Sequence, residues 1–87
     1  MSLQQLQYFV AVAEEQHVTR AAARLRVSQP PLSRQIRALE DELGQPLFER
    51  RGRGLALTEF GRYFAARATA LLDHVAAVLA DGKRWPT

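Results

Sequence analysis

The stretch Val27–Leu43, VSQPPLSRQIRALEDEL, constrains this chain more than any other. From Pro31 onward, Leu32, Ile36, Leu39 and Leu43 recur at +4, +3 and +4, which is the spacing of an amphipathic helix with one apolar stripe. The opposite stripe holds Pro30, Arg34, Arg37, Ala38 and Asp41. Cations and small groups thus open the exposed face, and the acids Glu40, Asp41 and Glu42 come only at its far end, where they read as a solvated face. Such a helix can press its first turns against an anion, as a helix in the major groove of DNA does.

The flanking residues give that helix a setting. Thr19 is placed as the N-cap of a short helix, Arg20–Arg26, with Ala21, Ala22 and Leu25 facing inward. Val27-Ser28-Gln29 then turns the chain, and Pro30-Pro31 suit a first helical turn because the N–H that proline lacks is unpaired there. Short helix, tight turn and second helix make a helix-turn-helix. Upstream, Leu3–Gln16 reads as a helix whose core stripe is Leu3, Leu6, Phe9, Val10 and Ala13. Tyr8 and Val12 form a second apolar pair at i, i+4. A surface helix of a monomer needs one apolar face, so this pair predicts contact with another molecule.

Downstream, Gly44 is placed as the left-handed residue that closes the longer helix. Leu47–Arg50 and Leu55–Thr58 are short strand-like runs around Arg51-Gly52-Arg53-Gly54, a β-hairpin or wing. Arg50, Arg51 and Arg53 make it cationic, and Arg53, between two glycines, is the candidate to enter a narrow minor groove, where negative potential concentrates. Thr58 can cap a last helix, Glu59–Ala80, ended by Asp81-Gly82. At 1.5 Å per residue that helix is roughly 33 Å long, more than a small winged domain can cover. Phe60 and Phe64 face the domain, while Ala68, Leu71, Val75 and Val78, with Leu72 and Leu79, form a seam for a second helix. The organisation is therefore a winged domain over 1–58, a dimerisation helix over 59–82 and a tail over 83–87 with no assigned role.

Composition narrows the function. Residues 1–19 carry no Lys or Arg, whereas 20–53 carry eight arginines, the clustering that marks nucleic-acid binding. Without cysteine there is no disulfide framework or thiolate metal site. The start lacks a basic n-region with a cleavage site, and no apolar run approaches membrane-spanning length, so a cytoplasmic protein without a membrane partner is expected. His17 and His74 have no third ligand at metal spacing. Paired carboxylates and a nucleophile elbow are lacking, and Gly52-x-Gly54 is too short to cradle a phosphate. No enzyme and no cofactor are expected.

Assembled, these residues resemble the N-terminal DNA-binding domain of LysR-type transcriptional regulators. The resemblance covers nearly the whole chain. It runs through Leu6-x-Tyr8-Phe9 with Ala11-Val12-Ala13-Glu14, Ala21-Ala22-x-x-Leu25, and Val27-Ser28-Gln29-Pro30-Pro31-Leu32-Ser33-Arg34-Gln35-Ile36. It continues in Leu39-Glu40-x-x-Leu43-Gly44, Leu47-Phe48-x-Arg50 and Leu57-Thr58-x-x-Gly61. The run SQPPLSRQI is more specific than any single helix-turn-helix signal.

The resemblance implies a mainly α winged helix-turn-helix followed by a linker helix. It places Gln29, Pro30, Pro31, Ser33 and Arg34 at or near bases and Arg53 in the minor groove. It gives phosphate contacts to Thr19, Ser28, Arg37, Arg50 and Arg51. It implies an antiparallel homodimer through Ala68, Leu71, Leu72, Val75, Val78 and Leu79, with Tyr8 and Val12 against the partner's linker. The implied partner is double-stranded promoter DNA bearing an interrupted palindrome of the T-N11-A type. For a full-length member the resemblance further implies a tetramer and a small-molecule effector bound by a C-terminal domain, and it admits RNA polymerase as a partner. This chain reads as a fragment without the effector domain, the alternative being an unusual stand-alone domain. The competing reading is a winged-helix protein-interaction module whose basic face docks an acidic partner. Another winged-helix regulator family is disfavoured by the Ser-Gln-Pro-Pro run.

Overall fold

The computed structural model describes residues 1–86, so the last residue of the 83–87 tail lies outside it. The element order is α1 (Leu3–Glu15), α2 (Val18–Leu25), α3 (Gln29–Leu43), β1 (Phe48–Arg51), β2 (Gly54–Leu57) and α4 (Glu59–Lys83). The strands pair antiparallel with Phe48 opposite Leu57 and Arg51 opposite Gly54. This is the winged helix-turn-helix that the sequence leads one to expect.

α1 is the hub. Ser2 caps it by accepting from Gln5 N–H at 3.1 Å, and α2, α3, α4 and β2 all pack on it. A helix packed from several sides needs more than one apolar face. That corrects the reading of Val12, which is fully buried inside this chain rather than offered to another molecule; Tyr8 is half-buried beside it. Leu3, placed in the core stripe from sequence, is instead 46% exposed in the first turn.

Three aromatic rings gather the elements around α1. Phe9 has no exposed surface, and its ring centroid lies 5.5 Å from both Phe48 of the wing and Phe64 of α4. Leu32, Ile36 and Leu39 bury the predicted stripe of α3 against this core. That helix begins at Gln29, earlier than Pro31, with both prolines in its first turn, and Gly44 closes it at φ 78°. α2 is capped differently from the expectation. His17, not Thr19, holds the N-cap position, its Nδ1 accepting from Thr19 N–H at 3.2 Å.

The wing's turn is tighter than predicted, with only Gly52 and Arg53 between the strands. Gly52 adopts φ 60°, the positive φ that a type II′ turn requires at its first central residue.

α4 outruns its predicted end, continuing through Asp81-Gly82 to Lys83. A helical glycine costs roughly 0.5–1 kcal/mol relative to alanine. That is too little to stop a helix whose last turn carries Lys83 and an Asp81–Arg84 ion pair. The helix is roughly 37 Å long at 1.5 Å per residue, and it draws the molecule out to 52 × 25 × 19 Å. It is also long and apolar enough, by length and composition, to cross a membrane, which corrects the expectation that no run approaches that length. Alanines at 65, 66, 68, 70, 76, 77 and 80 supply much of that apolarity.

The start of α4 is pressed onto the backbone leading into the wing. Thr58 Oγ1 accepts from Gly61 N–H at 2.9 Å, and a Cβ on Gly61 would lie 2.1 Å from the Leu47 carbonyl oxygen. That oxygen is held by Thr58 N–H at 3.0 Å, so it cannot yield cheaply. Gly61→Ala should lower stability by about 1–3 kcal/mol through overpacking. Gly82→Ala, in open space, should raise it by about 0.5–1 kcal/mol. Urea unfolding of both variants checks this, and a neutral Gly61→Ala would show the close approach to be wrong.

Candidate nucleic-acid interface

α3 presents its outer face because its inner one is tied down twice. Its apolar stripe is buried, and Gln5 of α1 donates from Nε2 to the Gln35 carbonyl at 3.1 Å and to Gln35 Oε1 at 3.2 Å. Gln35 is thereby turned toward α1 and removed from the outward-reading set. Sequence reading missed Gln5, which shares the +4, +3 spacing of Phe9 and Val12 and so sits as a polar residue on a core stripe.

What remains exposed on the leading half of α3 is Gln29, Pro30, Arg34 and Arg37, with Pro31 and Ser33 half-buried. The Ser28 side chain makes no cap hydrogen bond, so the positive helix terminus is left open.

Three elements meet in front of that terminus. A cleft of about 260 Å³ is lined by His17 and Thr19 from the start of α2, Gln29 and Ser33 from α3, and Arg50 and Arg53 from the wing. Five residues predicted separately (Thr19, Gln29, Ser33, Arg50 and Arg53) are thus brought to one place. Arg37 joins Arg50 in the neighbouring cleft between α3 and the wing, beside Ser33. Arg34 and Pro30 stay on the outer face of α3 and line neither cleft. Arg51 is the residue that separates. Strand neighbours point to opposite faces, and Arg51 lines an adjoining cleft with Gln16 and Arg20, His17 standing between the two.

Ion pairing sorts the arginines further. Arg24 is held by Glu14 at 2.7 Å and Glu15 at 3.3 Å, and these hydrogen bonds raise its pKa above the ordinary arginine value. Arg51 stands 3.8 Å from Glu49 in a pair that is exposed on both sides. Arg34, Arg37, Arg50 and Arg53 form no ion pair among the described residues. Arg20, Arg26, Arg62, Arg67 and Lys83 likewise form none, so what distinguishes those four is their position around α3 and the wing.

The acidic end of α3 is not merely solvated, as its sequence suggests. Glu40 Oε2 accepts from Leu47 N–H at 2.7 Å and from Phe48 N–H at 3.4 Å. Glu42 meets the N-terminal ammonium at 2.9 Å, while Asp41 is exposed. No signal in a run of three acids marks out the one that turns back to the chain.

α4 divides between core and surface. Ala68 is 3% exposed, which takes it out of an outward seam, while Leu72 is half-buried against the same core. Leu71, Val75, Val78 and Leu79 are the seam members that stay exposed, and Tyr63, which the heptad reading passed over, is 60% exposed. No group of three metal-ligating side chains occurs among the described residues.

Comparison with known proteins places this geometry. Residues 3–62 match the model for bacterial regulatory helix-turn-helix proteins of the lysR family. The chain is 57% identical over 72 residues to the HTH-type transcriptional regulator BudR of Klebsiella aerogenes, covering 83% of this chain and 50% of that protein. It is 49% identical over 84 residues to a probable cat1 operon transcriptional activator of Acinetobacter lwoffii, covering 97% of this chain and 28% of that protein. The chain thus spans half or less of these curated relatives. In three dimensions it superposes on the BenM DNA-binding domain, solved in complex with its catB site 1 DNA, with a TM-score of 0.93. Identity there is 49%, with 97% of this chain and 93% of that one covered. BenM is a regulator of Acinetobacter baylyi. The matched residues, the helix-turn-helix and the wing agree, and the chain belongs to the lysR family of bacterial regulatory helix-turn-helix proteins.

Proposed function

We propose that this chain is the DNA-reading part of a LysR-type transcriptional regulator acting on promoter DNA in the bacterial cytoplasm, and that it does no catalysis. The observation that carries the reading is the convergence of Gln29, Ser33, Arg50 and Arg53 on one cleft, beside arginines without acidic partners. The likeness to a DNA-bound relative supports it.

In this reading the leading half of α3 enters the major groove. Arg34 bonds guanine O6 and N7 bidentately and Gln29 pairs with adenine, while Pro30 and Pro31 give apolar contact and Ser33 lies at the base edge. Thr19, Ser28, Arg37 and Arg50 hold phosphates. Arg51, lining the adjoining cleft, reaches a separate phosphate together with Arg20. Arg53 at the turn inserts into the minor groove.

A homodimer through Leu71, Val75, Val78 and Leu79 supplies the two-fold symmetry of an interrupted palindrome, with half-sites about 34 Å apart. Tyr8 lies at the edge of that contact. For the whole protein we propose tetramer assembly, a small-molecule effector and contact with RNA polymerase.

Selection from a random duplex library at physiological salt should enrich an interrupted inverted repeat. An unenriched pool would sink the reading and favour a protein-interaction module.

On the selected site, Arg34→Ala should remove about 1–3 kcal/mol of base discrimination. Arg50→Ala should leave the preference intact and flatten the logarithmic salt dependence by about 0.9. Titrations on matched and mismatched duplexes at several salt concentrations separate the two; an unchanged preference in Arg34→Ala would misplace the groove contact. The double variant Leu71→Glu with Val75→Glu should remain helical by circular dichroism and scatter light as a monomer. A persisting dimer would put the interface elsewhere.

A further inference from the structure

We propose that Glu40 is a positioning residue that fixes the angle between the recognition helix and the wing, so that Arg53 and α3 keep one spacing along DNA. The inference rests on the DNA-reading function proposed above. Its ground is how the wing is anchored. Leu55 N–H of β2 donates to the Gln16 carbonyl at 2.9 Å, and a Cβ on Gly54 would lie 2.5 Å from that oxygen, so this side of the hairpin is fastened to the end of α1. The Leu47 carbonyl, just before β1, is fastened to Thr58 at the start of α4. Neither anchor touches α3. Among the described residues, the only hydrogen bonds between α3 and the wing or its lead-in are those that Glu40 Oε2 accepts from Leu47 and Phe48.

The lever arm makes that link matter. With the hairpin held at Leu55, its Phe48 end and Arg53 lie roughly 7 Å to either side of that pivot. A shift of about 1 Å at the Phe48 end therefore moves the tip by about as much, more than the half-ångström range of a good hydrogen bond. A carboxylate accepting backbone N–H groups forms a short, charge-assisted bond, suited to holding such an angle. Aspartate keeps the charge there and falls one methylene short. Glutamine keeps the reach and loses the charge.

The test is a mutant cycle between Glu40 and Arg53 on the selected operator, read by fluorescence anisotropy, each variant first shown to be folded at the assay temperature by circular dichroism. In the wild type, Arg53→Ala should weaken binding about tenfold, the scale of one lost specific contact. The same factor should appear in the Glu40→Gln background. In Glu40→Asp it should shrink below about threefold, because the tip is already displaced. An Arg53→Ala effect of undiminished size in Glu40→Asp would overturn the proposal, as would an Arg53→Ala that costs nothing in the wild type. Equal losses in Glu40→Asp and Glu40→Gln would also overturn it, since reach would then not be what matters. A wild type without sequence preference would instead refute the DNA-reading function itself.

Discussion

The fold depends on the Phe9 ring. It is wholly buried and stacked at a tilt between Phe48 and Phe64, so a single side chain of α1 touches both the wing and the linker helix. Truncating a buried aromatic to alanine costs about 3–5 kcal/mol, against total stabilities of about 5–15 kcal/mol for natural domains. A chain of 87 residues has little core to spare. Its candidate functional elements are therefore placed by the same few contacts that make it fold, and the wing proposed to meet DNA is also a wall of the core.

Charge is arranged with equal economy. A formal net charge of +3 would not by itself set this molecule apart. What does is how its acids are engaged. Glu14 and Glu15 hold Arg24, Glu42 holds the N-terminal ammonium, and Glu40 is turned onto backbone N–H groups. Arg34, Arg37, Arg50 and Arg53 are left without an ion pair among the described residues. Their mutual repulsion is relieved when a polyanion docks, which favours association at low salt and weakens it as screening grows.

Much of this was legible in the chain. The +4, +3 stripe of Leu32, Ile36 and Leu39, the prolines of the first turn, Gly44 at the helix end and Thr58 at the next cap all follow from local rules, and all hold in the structure. The misreadings share a physical cause. Val12 and Ala68 carry the spacing of an outward face, but periodicity reports only that a face is apolar and not what covers it. α1 is covered by several elements of its own chain, and α4 leaves the core only beyond Leu72. His17 and Glu40 could not be assigned because each acts through hydrogen bonds to the backbone, and such bonds leave no pattern of residue types. Of the candidate interface, which residues share a cleft was not readable, since that depends on where the start of α2 and the wing fall relative to α3.

These same bonds connect the two functions proposed for the chain. From the exposed stripe of α4 back to α3 the route is short. The Thr58 cap holds the Leu47 carbonyl, Leu47 N–H meets Glu40, and Glu40 stands on α3. Gly61 permits the contact by removing the one Cβ that would force α4 away from Leu47. In a dimer joined through α4, the separation of the two recognition helices would thus be transmitted through α1, packed on both α3 and α4, and through these hydrogen bonds and one tight backbone contact, rather than a flexible linker. A rigid route of this kind favours half-sites at one spacing and penalises others, because the misfit must be absorbed by bending the DNA or straining those bonds. Spacing preference is then a property of the monomer's packing as much as of the dimer seam.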